Sequence, residues 1–371
     1  MSDKALLAVG TFDFKQPHGL YTGYFDYETL NITITGQYDQ DINPGNLCYD
    51  RQRNVLYVCD ETEGHYFKGT GGGRIYAYKV SDDGKLSLIN WIDTLMTKTC
   101  YCCLDKSGDH LFYANHTGRN VVTKSVYENG KYTKKLVGDD VGVGLISINE
   151  DGSLGEITDL CKYDDEYEDN RIRHSHCHSV TLSPDGKMFV VCDKGKDRIY
   201  TYHIENDKIV PLHTEEADRF SAPRYSVFEK EGKALYTNNE TSNYLYAFHY
   251  DSETGDLSRF ASYQVLDEYN DDNASDIIIT NDGKYLYNAV RKANKLIGFR
   301  INKDKTLTKI SETDTALATR GLCLLPEGRY LLAAYNSPGI IEVFEIMENG
   351  ELRSVNKIEC ERAACMCVLG R

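Results

Sequence analysis

Residues 183–194 read SPDGKMFVVCDK, a turn with Pro-Asp-Gly followed by a short apolar strand and a polar end. Five further stretches repeat this plan, namely 50–61 DRQRNVLYVCDE, 105–116 DKSGDHLFYANH, 229–240 EKEGKALYTNNE, 280–291 TNDGKYLYNAVR and 325–336 LPEGRYLLAAYN. A second pattern, an alternating strand followed by a polar turn, starts at Leu20, Ile75, Leu145, Ile199, Leu245, Leu296 and Ile340. Short strands joined by Gly and Asp turns, with no helical periodicity, predict an all-β fold.

The number of copies of each pattern predicts how the N- and C-terminal ends of the chain come together. The second pattern occurs seven times and the first six times, and residues 6–12 (LLAVGTF) supply the missing copy. The preceding partner of this copy is the C-terminal stretch 363–369 (AACMCVL). A unit of about 45–55 residues holds four strands, the size of one propeller blade. The sequence therefore predicts a seven-bladed β-propeller as a single domain over residues 1–371, with the ring closed by the N- and C-terminal strands so that no edge stays open.

Composition limits the partners of the protein. The chain has 371 residues and a formal net charge of −15, which disfavours nucleic acid and anionic membrane surfaces. No apolar run reaches the ~18 residues of a membrane span, and residues 1–10 lack the pattern of a signal peptide. We therefore expect a cytoplasmic protein without nucleic-acid or membrane partners, as a monomer or a weak homodimer.

Twelve cysteines are present, a high count. Without a signal peptide we expect reduced thiols that pack as small apolar groups. Cys100 and Cys103 form a CxxC pair, but a structural zinc site would need a second pair, which the sequence lacks. Gly71 opens a glycine run before Arg74 that lacks the lysine of a phosphate loop and is interpreted as a turn.

The widest gap between copies of the repeat lies between Leu111 and Phe189. It contains residues 128–142 and the acidic stretch 164–170, which we interpret as loops inserted on a blade. Such loops either cover a pocket or remain solvated surface loops.

Propeller geometry predicts which polar side chains meet at one end of the ring. The innermost strand and the next form an antiparallel hairpin, so the start of the first lies beside the end of the second. Taken blade by blade, this rule collects His174, His176, His178 and Asp193, then Arg224 and Glu240, then Asp276 and Arg291, then Arg320 and Asn336, together with Asp60, Glu61, Asn115 and His116 from earlier blades. Histidine is a natural base and arginine binds carboxylate or phosphate, so this set can bind a small anion and move a proton.

Two other interpretations of these residues stay open. Each polar strand end can instead cap a turn or form a salt bridge, since strand ends face solvent. On a strand, His174, His176 and His178 would also point to one face, where imidazoles can hold zinc, although their flanks match no known metal pattern.

Four stretches resemble, in order along the chain, the bacterial family of seven-bladed propeller lactonases. Residues 173–202 contain a His-x-His before a Pro-Asp-Gly turn and an Asp-x-Gly-x-Asp. Residues 222–240 are similar to the family's Pro-Arg-His and Asn-Glu pair, 275–291 to its Asp-Ile, Asp-Gly and Asn-Arg run, and 319–336 to its final Pro-Arg. The family contains the propeller type of 6-phosphogluconolactonase and, more distantly, the fungal carboxy-cis,cis-muconate cyclase.

The resemblance implies a site of one histidine, two arginines and one glutamate, which fall on His176, Arg224, Arg291 and Glu240. The rim argument places the same four residues together. The chain departs from the family pattern at Lys194, Tyr225, Lys292 and Thr319, where the family has Leu, His, Gly and Pro. We expect these departures to change the substrate more than the fold.

Three functions follow as hypotheses. The first is hydrolysis of a small anionic sugar-acid lactone, with 6-phosphogluconolactone to 6-phosphogluconate the best candidate: His176 is the general base, Glu240 orients it, and Arg224 and Arg291 hold the anion and stabilise the oxyanion. Further substrate contacts are expected from His178, Asp193, Arg173, Lys194, Asp276, Arg320 and Asn115, of which Arg173, Lys194 and Arg320 are the phosphate candidates. The alternatives are a lactone-forming cycloisomerase and a non-catalytic ligand- or protein-binding propeller. No metal or cofactor is expected, and either His176 or His178 can be the base.

Overall fold

The structure is a computed structural model, and it describes residues 4–13, 15–62, 72–116, 121–168, 171–268, 273–337 and 339–370. These residues form strands joined by turns. In the described part of the chain, no helix is long and apolar enough to cross a membrane. The predicted all-β class is confirmed.

Strands follow one another along the whole described chain. In chain order they are β1 Lys4–Thr11, β2 Leu20–Asp26, β3 Asn31–Tyr38, β4 Pro44–Asp50, β5 Val55–Asp60, β6 Arg74–Val80, β7 Leu86–Asp93, β8 Thr99–Leu104, β9 His110–Asn115, β10 Val122–Glu128, β11 Lys131–Val137, β12 Gly142–Ile148, β13 Leu154–Lys162, β14 Glu166–Glu168, β15 Arg171–Arg173, β16 Cys177–Leu182, β17 Met188–Asp193, β18 Arg198–Glu205, β19 Lys208–Glu216, β20 Pro223–Phe228, β21 Ala234–Asn239, β22 Tyr244–Tyr250, β23 Leu257–Gln264, β24 Ala274–Ile279, β25 Tyr285–Val290, β26 Lys295–Ile301, β27 Leu307–Asp314, β28 Gly321–Leu324, β29 Tyr330–Tyr335, β30 Ile340–Ile346, β31 Leu352–Glu359 and β32 Ala363–Gly370.

Seven four-stranded sheets form the blades of the ring. Their strand orders are β32-β1-β2-β3, β4-β5-β6-β7, β8-β9-β12-β13, β16-β17-β18-β19, β20-β21-β22-β23, β24-β25-β26-β27 and β28-β29-β30-β31. The innermost strands β32, β4, β8, β16, β20, β24 and β28 follow one another around the ring, each in contact with the next. The first blade takes one strand from the C-terminus and three from the N-terminus, with Val9 opposite Met366, so the predicted seven-bladed ring and its closure are confirmed.

A tight turn explains why glycine recurs in five of the six repeated turn-and-strand stretches. The backbone N–H of Gly186 donates to the carbonyl of Ser183, and Gly186 has a φ of 78°. Four other stretches have glycine at the same place, with φ between 72° and 79°, at Gly108, Gly232, Gly283 and Gly328. This left-handed conformation carries a steric penalty for residues with a Cβ, so glycine fixes where each second strand begins.

The hydrophobic core lies between neighbouring blades. Phe112 on β9 stacks on Phe189 on β17, with ring centroids 4.6 Å apart, and Leu145 on β12 belongs to the same cluster. Burying one such side chain contributes about 1.5–3 kcal/mol. Packing of blade against blade therefore holds the ring and leaves the strand ends free to carry polar groups.

The two inserted segments are partly strands, which corrects the loop interpretation. Residues 128–142 contain β11, which pairs with β10 in a separate two-stranded hairpin between β9 and β12. Residues 164–170 contain β14, which pairs with β15 just before the fourth blade, while residues 169 and 170 lie outside the described residues. Both hairpins arise on the side of the ring where the inner strands begin.

The expectation that three histidines share one face of a strand is wrong. Strand β16 begins at Cys177, so His174 and His176 precede it. A β-bulge between Cys177 and Ser179 then interrupts the alternation at His178. The bulge turns His178 independently of its neighbours.

Candidate active site

The mouth, which we define as the end of the ring where the inner strands begin, carries the last residue of five of the six repeated turn-and-strand stretches. The backbone N–H of Lys194 donates to the carbonyl of His176 at 3.2 Å, and that of Glu240 donates to Ala222 at 2.8 Å. Equivalent backbone hydrogen bonds run from the N–H of Glu61 to the carbonyl of Asn43, from that of His116 to Lys98, and from that of Arg291 to Asn273. One backbone position, repeated from blade to blade, therefore brings Glu61, His116, Lys194, Glu240 and Arg291 to the mouth.

Glu240 lies at the centre of an ion cluster with Lys194, Arg224 and Arg291. Its Oε2 accepts hydrogen bonds from Nζ of Lys194 at 2.9 Å and from Nε of Arg224 at 3.1 Å. Its Oε1 accepts one from the Arg291 guanidinium at 2.9 Å. Three cations face one carboxylate, so the cluster has a net charge of +2 and attracts an anion.

Arg224 is the most buried member of this cluster, with 3% of its side chain exposed. It also donates to the backbone carbonyl of Ser275, and its guanidinium lies 4.6 Å from the ring centroid of Tyr225. Arg224 sits in the β-bulge at the start of β20, which corresponds to the bulge that holds His178 in the preceding blade. The bulge directs this side chain inward and the surroundings fix it.

The electrostatics of the cluster keep Glu240 ionised. Burial alone would raise the pKa of Glu240, but Arg224, Lys194 and Arg291 together outweigh it and hold the pKa below its usual 4.5. Burial, opposed in part by Glu240, lowers the pKa of Lys194. A carboxylate held in this way is an electrostatic anchor and not a proton donor at neutral pH.

This depressed pKa predicts acid-sensitive stability. A carboxyl group whose pKa is lower in the folded state stabilises the fold above its unfolded pKa and loses that contribution as the pH falls. We therefore expect the difference in unfolding free energy between wild type and Glu240→Gln to shrink as the pH falls below about 4.5. Urea unfolding at several pH values measures it, and a difference that stays constant down to pH 3 would contradict the assignment.

Histidine rings form a second cluster beside the ion cluster. Burial, and next the charge of Lys194, lowers the pKa of His176 to about 3, so the ring is neutral at neutral pH. Burial, then Arg224, lowers the pKa of His178 well below 6.5. His178 is only 8% exposed and its Nδ1 is buried without a hydrogen-bond partner in the described residues, whereas His176 is partly exposed. His176 is thus the more accessible base.

The central channel opens at this mouth. It is a cavity of about 480 Å³ lined by all seven inner strands, and its lining includes Arg224, Asp276 and Arg320. Tyr101 and Tyr225 reach into it with ring centroids 5.5 Å apart. Arg224 belongs to both the ion cluster and the channel wall, whereas Lys194, Glu240 and Arg291 do not line this cavity.

Asp276 and Arg320 add charge to the channel wall. Asp276 accepts the backbone N–H groups of Ile277 and Leu322, at 2.8 and 2.7 Å, while burial raises its pKa to about 6. Arg320 pairs with Glu61 at 3.3 Å, and its guanidinium lies 3.7 Å from the ring centroid of Phe12. Both side chains face the cavity, as expected for substrate contacts.

Three of the predicted substrate contacts are bound to groups of the protein itself. Asp193 is fully buried, and its Oδ1 accepts the backbone N–H groups of His176, Gly195 and Lys196. Asn115 is likewise buried and donates to a turn formed by residues 94–99. The guanidinium of Arg173 donates to the backbone carbonyl of Lys196 and to the carboxylate of Asp197. These contacts correct the expectation: the three side chains brace the loops that carry the site.

The inserted segments reach the same side of the site. His174 bonds to Asp165 through Nδ1, and the other carboxylate oxygen of Asp165 accepts the N–H of Gly138 at 3.1 Å. Lys196 donates to the carbonyl of Asp164. Both inserted segments are therefore attached to the rest of the protein close to His176.

In the described residues, neither the cysteines nor other possible metal ligands form an additional site. All twelve cysteines are free, and burial raises the pKa of the Cys100 thiol. Within the ranges that the structure describes, no group of three or more His, Cys, Asp or Glu side chains is arranged to hold a metal ion. Gly71 lies outside the described residues, and Gly72 and Gly73 lead directly into β6.

Sequence reasoning placed His116 and Glu61 on the rim without giving either a specific role, and it did not identify Tyr101 or Tyr225 as site residues. His116 and Glu61 end their stretches at the same position as Glu240. Tyr225 directly follows Arg224 and stood out only as a departure from the family pattern. Tyr101 gave no signal, because its approach to Tyr225 depends on the curvature of the ring.

Comparison with known proteins agrees with the fold. The family model for "Lactonase, 7-bladed beta-propeller" matches residues 6–368. A 6-phosphogluconolactonase of Formosa agariphila is 27% identical over 364 residues, 94% of each chain, and one of Bacillus subtilis is 22% identical over 342 residues, 91% of this chain and 90% of that protein. The structure of a Pseudomonas aeruginosa periplasmic gluconolactonase superposes with a TM-score of 0.83 at 21% identity over 98% of both chains. The chain belongs to the family of seven-bladed β-propeller lactonases.

Proposed function

We propose that this protein opens the lactone of an anionic sugar acid, with 6-phosphogluconolactone as its substrate. The observation that carries the proposal is the ion cluster of net charge +2 beside a neutral, partly exposed His176, in a chain whose net charge is −15. Local positive charge on an acidic protein selects and attracts a small anion. The two relatives named 6-phosphogluconolactonase support the choice of substrate.

The chemistry requires one water molecule and two proton transfers through His176. His176 takes a proton from water while the water oxygen attacks the lactone carbonyl carbon. Arg224 and Arg291 stabilise the negative charge that develops on the carbonyl oxygen. The bond between the carbonyl carbon and the ring oxygen then breaks, and the ring oxygen takes the proton from His176. The products are an alcohol and a carboxylic acid, and the acid releases its proton to solvent to give the carboxylate.

Substrate binding also adjusts the base. A pKa near 3 makes His176 a weak base in the empty site. Burial is the main cause of this low pKa and the charge of Lys194 is the next, so an anion bound against Lys194 offsets part of the shift and raises the basicity of the ring. The site therefore gains part of its base strength when the substrate is bound.

A panel of substrates tests the proposal. We expect kcat/KM for 6-phosphogluconolactone, corrected for spontaneous opening, to exceed that for unphosphorylated gluconolactone by about 10- to 100-fold, since one charge-assisted hydrogen bond contributes about 1.5–3 kcal/mol. Equal kcat/KM values for the two lactones would show that the phosphate does not contribute to substrate recognition. Turnover of carboxymuconate alone would favour the cycloisomerase, and no turnover of any member would favour a binding propeller.

Arg320 is the phosphate ligand that the geometry favours, because it lines the same channel as Arg224 of the ion cluster. Arg320→Met is expected to raise KM for the phosphorylated lactone about tenfold and to leave the unphosphorylated one within about threefold. Arg329→Met, at an exposed arginine paired with Glu345, is the matched control. Equal effects on both lactones would exclude Arg320 as the phosphate ligand.

A further inference from the structure

His116 contacts both of the histidines that compete for the role of base. Its ring centroid is 4.7 Å from that of His176 and 5.4 Å from that of His178, and it stands nearly perpendicular to both rings. His116 Nε2 is 3.4 Å from Nδ1 of His176, at the long end of the hydrogen-bond range. Catalytic hydrogen bonds are often long in an empty site and tighten when the substrate binds.

The position of His116 is fixed by its backbone. Its N–H donates to the carbonyl of Lys98 at 2.9 Å, and Lys98 itself has a φ of 45° in the left-handed region. The neighbouring Asn115 side chain donates to the carbonyl of Thr97 at 2.9 Å and to the hydroxyl groups of Thr94 and Thr99. A residue other than glycine persists in this conformation only when its surroundings hold it, so the turn presents His116 in one orientation.

The contact determines which nitrogen of His176 can react. Because Nδ1 faces His116, only Nε2 remains to activate water. A base needs a lone pair on the reacting nitrogen, so the proton of neutral His176 must sit on Nδ1. His116 Nε2 must then accept that proton in a hydrogen bond.

We propose that His116 is a positioning residue that holds His176 in the Nδ1–H tautomer and leaves Nε2 free as the base. The inference rests on the proposed function for the identity of the base, but the tautomer itself is a property of the unliganded protein. The charged groups that act on His176 are Lys194, His174, Glu240 and Lys98, and none of them takes the place of His116 at Nδ1. The His178 ring also lies against His116, with centroids 5.4 Å apart, but its Nδ1 is buried without a hydrogen-bond partner in the described residues.

Two substitutions separate positioning from packing. His116→Phe keeps a flat ring against His176 and His178 and removes the acceptor. His116→Gln places a carbonyl oxygen near the position of Nε2. We expect kcat to fall about 10- to 100-fold in the Phe variant with KM nearly unchanged, and to recover most of this loss in the Gln variant. His213→Phe, at a histidine on outer strand β19, controls for the exchange itself and should leave kcat unchanged.

Long-range ¹H–¹⁵N spectra of protein labelled with ¹⁵N-histidine provide a readout that needs no substrate. The His176 signals, assigned with His176→Gln, should show the Nδ1–H form in wild type and a mixture of tautomers in His116→Phe. An Nε2–H form in wild type, or a Phe variant with wild-type kcat, would overturn the inference. If wild type opens no lactone but shows the Nδ1–H form, the proposed function fails while the positioning by His116 stands.

Discussion

Replacement of His176 by alanine is expected to lower kcat for lactone opening by about 10²- to 10⁴-fold, the usual contribution of a general base. The imidazole is neutral at the mouth, beside an ion cluster that fixes the substrate anion. The backbone N–H of His176 is held by Asp193, and removal of the imidazole leaves the side chains of the ion cluster in place. KM should therefore change much less than kcat.

His178, the other candidate for the general base, provides the control for this prediction. His178→Ala removes a ring that is 8% exposed and packs against Tyr225, and it should disturb packing more than the chemical step. Initial rates over spontaneous opening, with thermal unfolding measured in parallel, separate the two effects. A deep loss of kcat in His178→Ala together with wild-type kcat in His176→Ala would assign the base to His178.

Replacement of Glu240 by alanine is expected to lower the free energy of unfolding by about 3–5 kcal/mol, the typical result of removing one partner from a buried ion pair. Lys194, Arg224 and Arg291 all lose the carboxylate that they share. Arg224 is 3% exposed, so water cannot replace its lost partner without rearrangement. Activity should fall as well, because the two arginines lose their common anchor.

A surface pair provides the comparison for Glu240. Glu253 pairs with Lys187 at 3.4 Å, and the two side chains are 82% and 58% exposed. Glu253→Ala should change the free energy of unfolding by less than about 1 kcal/mol. Equal effects of the two substitutions in urea unfolding would show that the ion cluster is not a buried network.

The repeat made most of the architecture predictable from sequence. The stretch 183–194 contains both the turn glycine Gly186 and strand β17, and its last residue, Lys194, lies at the mouth. Because a blade is a local hairpin repeated seven times, its register follows from short-range patterns. The position of Glu240 beside Arg224 follows from the same register.

The inserted hairpin β10–β11 was missed although the sequence contained its signal. Asn129 and Gly130 both have positive φ, 53° and 79°, and Asn-Gly is the preferred two-residue turn between paired strands. The flanking residues are polar and exposed, so they lack the apolar alternation that marks the blade strands. Turn chemistry alone would have identified this hairpin.

The direction of individual polar side chains was beyond the sequence pattern. Asp193 and Glu240 end equivalent strands within one residue of each other, yet Asp193 bonds to backbone N–H groups and Glu240 to three cations. Asp193 is equivalent to Asn239, because each pairs with the first residue of its inner strand, so Glu240 lies one residue further along its hairpin and its side chain takes a different direction. A sequence pattern fixes which strand ends meet, and the local backbone decides which side chains face the ligand.

The initial rate at which wild-type protein opens 6-phosphogluconolactone, with spontaneous opening subtracted, tests the central claim most directly. The net positive mouth with its neutral histidine predicts a rate that is proportional to enzyme concentration, saturates with substrate and vanishes with His176→Ala. A rate equal to the spontaneous background at every enzyme concentration would contradict the proposed substrate.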